Sequence, residues 1–346
     1  MPARLEAHAS CRASDAMTRA CIAGMLVLAA GCASSDSNPV APQGSRLLEG
    51  QTLSAVDGGA IGALSVRVGI HTVRTDGSGN FQVDVGGPGS FDIVVTGTGA
   101  VERHTTVTGP SAERAKITII PASFNLDAFD EMFRASGGRL RRWTTRPSLV
   151  VVASVLKYTD GDNDQYAATA EQLSDDEIAA MVANLSEGLA LLTGNTYNEF
   201  AGVTIERPRS GEMVTVRRTG QIVVGRYTGI TTLAHTIGYG SCAEQPDGTV
   251  TAGSMWLDRD FDKADARRRL LRIHELGHAL GYLHVTVSTS VMNPAIGPDP
   301  TDFDRAGAIV AFQRPVGNVA PDTDPTTGPR TFSVSEGGAR WSAPIR

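Results

Sequence analysis

Cysteine, aromatic side chains and long apolar runs are all scarce in this sequence. Four cysteines occur in 346 residues, at positions 11, 21, 32 and 242. Three of them sit in the first 32 residues, so Cys242 has no partner in the body of the chain and a disulfide framework is excluded. A buried, inert thiol is the expectation for Cys242. Aromatic content is 5%, against 38 glycines, which favours many turns and short strands. The apolar run at 21–30 is too short to cross a bilayer. Positive charge is also in deficit. The net charge is −6, and without residues 1–31 the chain keeps 28 basic against 35 acidic side chains, a net −7. Electrostatic binding to nucleic acid or to an anionic membrane surface is therefore disfavoured, and no nucleic-acid partner is expected.

What the chain does have is concentrated at 274–284, which reads His-Glu-Leu-Gly-His-Ala-Leu-Gly-Tyr-Leu-His. His274 and His278 stand at i and i+4 and share one face of a helix. Two imidazoles so placed can hold one Zn²⁺. Glu275 is too close in sequence to the first ligand to share the metal comfortably, and its natural place is beside the attacking water. Gly281 ends the helix, because glycine enters the left-handed region without Cβ strain. The chain then turns and returns His284 as a third ligand. Three protein ligands leave a fourth position open, as in a catalytic zinc site. The full pattern fixes five residues and arises by chance at a frequency on the order of 10⁻⁵ in a chain of this length.

Met292, in Ser290-Val291-Met292-Asn293-Pro294, stands eight residues after His284. Together with the long histidine motif it resembles the metzincin metallopeptidases, in which a methionine turn lies beneath the metal. The resemblance implies a matrixin-like zinc endopeptidase acting on protein or peptide substrates. His274, His278 and His284 would be the ligands of one catalytic Zn²⁺, Glu275 the general base and Met292 the turn methionine. Some metzincins carry a tyrosine two residues after that methionine. Pro294 stands there, so the resemblance assigns no residue to that role.

At the other end, Arg19 precedes the apolar run, which ends in Leu28-Ala29-Ala30-Gly31-Cys32. This resembles a bacterial lipoprotein signal, with 1–31 removed and Cys32 lipidated. Ala33 in place of aspartate implies an outer-membrane anchor. Residues 32–45 read as a flexible tether. Residues 46–120 carry short runs at 64–70, 81–85, 91–96 and 116–120, separated by glycine-rich turns, and read as a small antiparallel β-sandwich. Thr75-Asp76-Gly77-Ser78-Gly79-Asn80-Phe81 resembles a turn of carboxypeptidase-regulatory-like domains. This stretch has no cysteine to act as a metal-blocking latency switch.

The expected fold class is α+β. A metzincin-type domain over 121–316, with a twisted sheet, a metal-binding helix, the methionine turn and a last helix, follows the sandwich. Helices are expected near 127–134, after the capping box Ser174-Asp-Asp-Glu177, over 267–280 and from Thr301 to Pro315. Strands are expected at 148–155, 202–206, 213–217, 221–225, 232–237 and 249–257. The run at 232–237 resembles the matrixin strand that borders the substrate cleft, with His235 a hydrogen-bonded strand residue rather than the ligand of a second, structural zinc. Asp160, Asp162, Asp164 and Glu171 imitate a calcium loop, but Gln165 replaces its glycine. A solvated acidic loop is the main reading there and Ca²⁺ the lesser one. From 317 to 346 a mobile tail is expected. Two readings stand beside the peptidase: a surface-anchored binding lipoprotein with an idle site, and a zinc hydrolase of peptidoglycan cross-links.

Overall fold

The computed structural model describes residues 46–135, 137–159, 163–326 and 340–345, the last six by their backbone alone. The signal segment, Cys32 and its tether, Asp160, Asp162 and residues 327–339 lie outside the described residues.

Seven short strands open the described chain: β1 (Leu47–Ser54), β2 (Ser65–Val68), β3 (His71–Arg74), β4 (Asn80–Asp84), β5 (Gly89–Thr96), β6 (Arg103–Gly109) and β7 (Ala115–Ile119). They form two sheets, ordered β4-β1-β7 and β3-β2-β5-β6. Alternating buried residues such as Leu48, Val66, Phe81, Val83, Ile93, Val95, Ile117 and Ile119 fill the space between them. The turn into β4 is tight because the Asp76 carboxylate accepts from the backbone N–H of Ser78 and Asn80, at 2.9 and 2.8 Å. One pairing departs from the antiparallel expectation: β1 and β7 run parallel, with Ser54 opposite Ile119. Both strands deliver their ends to the same place, where Ala55 and Ile120 enter the core of the larger part.

The larger part continues with α1 (Leu126–Phe133), β8 (Ser148–Lys157), β9 (Gln165–Gln172), α2 (Asp175–Leu192), β10 (Val203–Glu206), β11 (Met213–Thr215) and β12 (Gln221–Thr228). After these come α3 (Ile230–Ala234), β13 (Gly238–Glu244), β14 (Val250–Asp258), α4 (Arg259–Ala264), α5 (Arg268–Ala279), α6 (Asp302–Phe312) and β15 (Arg340–Ile345). The fold is α+β. The sheet runs β11-β9-β8-β12-β14-β13-β15, with β10 alongside the first half of β8. β8, β12 and β14 are mutually parallel, whereas β13 is antiparallel to β14. β8 is a near-continuous apolar run because both of its faces are covered. Leu149, Val151 and Val155 face the helices, and Val150 and Val152 pack with Tyr166, Tyr227 and Trp256 on the other side.

α2 starts at the predicted capping box, with Ser174 and Glu177 satisfying each other's backbone N–H groups. Its apolar stripe, including Met181, Leu185 and Leu189, shares a core with Leu271, Ile273 and Leu276 of α5. No helix among the described residues is long and apolar enough to cross a membrane.

Three expectations need correction. Residues 232–237 are not a strand. Gly229, at φ +93°, ends β12, and the chain enters the short helix α3. His235 caps that helix at φ +52° and is exposed. Residues 317–326 are not a mobile tail. Asn318 and Asp322 are fully buried, and the Asp322 carboxylate accepts from Arg314 Nε and Nη2, both at 2.8 Å, and from Arg103 Nη1 at 3.2 Å. These contacts fasten β6 of the sandwich to the end of the larger part. Finally, 340–345 form a strand paired with β13.

Candidate metal centre

α5 brings the first two histidines to the same face, and its own termination brings the third. The last turn closes as a Schellman motif: Gly281 N–H donates to the His278 carbonyl at 3.0 Å and Tyr282 N–H to the Gly277 carbonyl at 2.9 Å. Gly281 sits at φ +104°, which any side chain would strain. The reversal places the Tyr282 carbonyl 2.7 Å from His278 Nδ1 and returns His284 to the other two rings. Arg141 and Trp143 hold this end of the helix, donating to the carbonyls of Gly281 and Ala279 at 2.9 and 3.1 Å.

The ring nitrogens define the chemistry. His274 Nδ1 lies 2.7 Å from the Val291 carbonyl, and His278 Nδ1 lies at the same distance from that of Tyr282. A carbonyl can only accept, so each Nδ1 carries the proton and each Nε2 presents a lone pair. Yet His278 Nε2 is 3.0 Å from His274 Nε2 and 3.2 Å from His284 Nε2. Burial holds the imidazoles neutral: it drives His274 down to about 3, His278 well below the usual histidine range, and His284 down as well. Nε2 atoms at such distances are near enough to hold one cation between them. Tetrahedral ligands at roughly 2.0–2.1 Å from a metal stand about 3.3 Å apart, close to the spacings found. The three ligand atoms all lie within 4.8 Å of one another. Among the described residues this is the only group of three or more His, Cys, Asp or Glu side chains near enough to hold a metal ion.

Glu275 is fully buried and neither carboxylate oxygen has a hydrogen-bond partner. Desolvation alone pushes its carboxyl well above the usual carboxylate range. A cation on the neighbouring imidazoles would oppose that shift, so the residue is suited to gaining and losing a proton. Gly238 and Gly240 of β13 make room for it. A Cβ on Gly238 would fall 2.3 Å from Glu275 Oε1, and one on Gly240 would fall 2.6 Å from His278 Cβ. β13 therefore lies directly on α5.

Met292 is fully buried beneath α5, where a Cβ on Gly277 would meet its Sδ at 2.4 Å. Its turn is tied down on both sides. Val285 N–H donates to the Met292 carbonyl at 2.9 Å, and Asn293 Nδ2 donates to the Val285 carbonyl at 2.7 Å. His274, Glu275, His278, Gly281, His284 and Met292 are thus brought together. His235 is not among the metal-binding group. Of the calcium-like loop, Asp164 is paired with Arg217 at 2.7 Å and Glu171 with Arg259 at 3.3 Å. Cys242 of β13 is buried, which pushes its thiol up to about 12.

Sequence reasoning missed the residues that hold the ligands in place. Asp304 of α6 reaches back to Ser290 Oγ and to Val291 N–H at 3.1 Å, which sets the carbonyl that orients His274. The helix start at Thr301 was legible, but the capping box of Asp304 with Thr301 and its reach to the turn were not. Glu131 accepts from the backbone N–H of Thr286 and Val287 at 2.6 and 3.2 Å, fixing the loop after His284. A shallow depression of about 600 Å³ lies there, lined by Val285, Thr286, Val287, Asn293, Pro294 and Ala295 among others. Behind the helix, buried Asp262 binds Arg272 of α5 through Nε and Nη2 at 2.7 and 2.9 Å and Arg226 of β12 through Nε at 2.7 Å.

Comparison with known protein families and with curated protein sequences finds no match to this chain. Its functional reading therefore rests on the residues and geometry described above.

Proposed function

We propose that the chain is a zinc-dependent endopeptidase of metzincin type. The observation that carries this reading is the convergence of three imidazole Nε2 atoms beside an unpartnered, fully buried Glu275 carboxylate. His274, His278 and His284 would hold the zinc, the first two through tautomers fixed by the Val291 and Tyr282 carbonyls. A bound zinc supplies Lewis-acid polarisation of the scissile carbonyl and acidifies water. Glu275 takes the proton of the attacking water and later gives it to the leaving amine. Burial excludes bulk water from that transfer, and β13 limits the directions in which the carboxylate can move. Met292 supports the helix from below and has no atom to contribute to the reaction.

The idle-site reading requires a chain that keeps a buried carboxylate with no structural partner. Such a group costs folding stability whether or not it is used, and its presence without a structural partner favours the peptidase reading. The peptidoglycan reading differs only in substrate. Incubation of the zinc-loaded chain with casein and with cell-wall sacculi separates the three. The account expects casein fragments and intact sacculi. Release of cross-link fragments from sacculi alone, or no cleavage of either, counts against it.

By its lipoprotein-like signal, the enzyme is proposed to be exported and held at the outer membrane through lipid on Cys32. Replacing Cys32 by Ser should then move it from the detergent phase to the aqueous phase, and equal partitioning of the two forms counts against the anchor.

A further inference from the structure

The strand that covers Glu275 has a second neighbour. β15 pairs antiparallel with β13, placing Gly238 opposite Ile345, Gly240 opposite Ala343 and Cys242 opposite Trp341. The register fixes which backbone groups meet. Asp258 N–H donates to the Ile237 carbonyl at 2.9 Å, so the odd-numbered residues of β13 turn their backbone groups toward β14. Gly238, Gly240 and Cys242 turn theirs the other way, toward β15. Pro344 agrees with this register. It stands opposite Tyr239, at a position whose N–H would point away from β13, where proline is tolerated. The glycines that offer their backbone to β15 are the ones lying on Glu275 and His278.

An extended peptide can join a sheet edge through main-chain hydrogen bonds. A peptidase needs its substrate extended beside its base. We propose that residues 340–345 regulate this site by occupying in cis the β13 edge at Gly238, Gly240 and Cys242, with which an extended peptide would otherwise pair. They act as an intramolecular competitor of substrate. The substrate half of the proposal rests on the peptidase reading of the site, and the occupancy of the edge does not. Six paired residues make a short strand, and a segment of the same chain typically acts at an effective concentration of about 1 mM. A free peptide that binds the open edge at roughly 0.1 mM is then resisted about tenfold by the cis strand.

The test uses the full chain carrying Glu275→Gln, so that a bound peptide is not consumed. The probe is a fluorescent hexapeptide of sequence Arg-Trp-Ser-Ala-Pro-Ile. Ala343→Pro removes the N–H that faces Gly240, whereas Ser342→Pro removes one that faces away. By anisotropy, Ala343→Pro should bind the probe about tenfold more tightly than the parent and Ser342→Pro. Amide exchange over 238–244 should be about tenfold faster in Ala343→Pro alone. Equal affinities in the three chains, or exchange unchanged by Ala343→Pro, overturn the cis strand. With Glu275 restored, Ala343→Pro should lower KM about tenfold at constant kcat. Tighter probe binding with an unaltered KM overturns the substrate half. A zinc-loaded chain that cleaves nothing defeats the peptidase reading, while the contrast in probe binding still decides the edge.

Discussion

Replacing Gly277 by Ala sets two physical effects of opposite sign against each other. Gly277 lies inside α5, where alanine is the better helix former by about 1 kcal/mol. On propensity alone the substitution stabilises the protein. The added Cβ, however, would fall 2.4 Å from Met292 Sδ and 2.9 Å from Cε, roughly 1 Å inside ordinary contact. Met292 is fully buried and its turn is tied to Val285 and Asp304, so it has little room to withdraw. Overpacking of this kind costs about 1–3 kcal/mol, and Gly277→Ala should therefore destabilise by about 1 kcal/mol net. Met292→Ala alone should cost about 2–5 kcal/mol through the cavity it leaves. In that background the methyl of Gly277→Ala enters vacated space, and the same substitution should now stabilise by about 1 kcal/mol. The coupling of about 2 kcal/mol is well above the few tenths expected of independent sites. Urea unfolding of the four chains in excess chelator measures it without a contribution from metal binding. Additive effects, or a stabilising Gly277→Ala in the parent, would refute the packing of the methionine turn against α5.

Further outcomes follow from the same geometry. Asp262→Ala leaves Arg226 and Arg272 as buried cations without their shared carboxylate and should cost about 3–5 kcal/mol in urea unfolding. A loss below about 1 kcal/mol contradicts that pairing. Glu177 is held down to about 2, first by its hydrogen bond to Arg226. Its folded value lies below the usual 4.5, so its contribution is fully present above that pH and lost as pH falls toward 2. The parent should outlast Glu177→Gln at pH 6, and the gap between their melting temperatures should close on acidification. A gap that is constant with pH removes this linkage. His284→Ala should weaken zinc binding by at least tenfold although His274 and His278 remain, and unchanged zinc affinity takes His284 out of the site.

Much of the candidate site was legible because its residues are local. The i, i+4 spacing and Gly281 dictate a helix that ends in a left-handed turn, and the structure has both. The missed parts depend on distant partners. β13 reads Gly-Tyr-Gly-Ser-Cys-Ala-Glu, with no β-branched residue, because closeness to α5 requires its glycines. The alanine-rich β9 was missed for a related reason, as pairing with β8 rather than propensity makes it a strand. The Thr-Thr-Leu at 231–233 suggested a strand, but Thr231 donates to the Asp258 carboxylate at 2.6 Å within the turn that follows Gly229. Residues 317–326 have the composition of a mobile tail. Their aspartates are consumed by Arg103 and Arg314, more than 200 and 8 residues away in sequence from Asp322.

The general base is the centre of the account, and Glu275→Gln tests it most directly. The variant preserves size and can still hydrogen-bond, but it cannot accept the proton of the attacking water. Zinc content and turnover of a broad peptide library are measured on the same preparations of both chains. The account predicts about one zinc per chain in each, with turnover in the variant lower by a factor of at least about 10². Equal turnover in the two zinc-loaded chains would contradict the role given to Glu275.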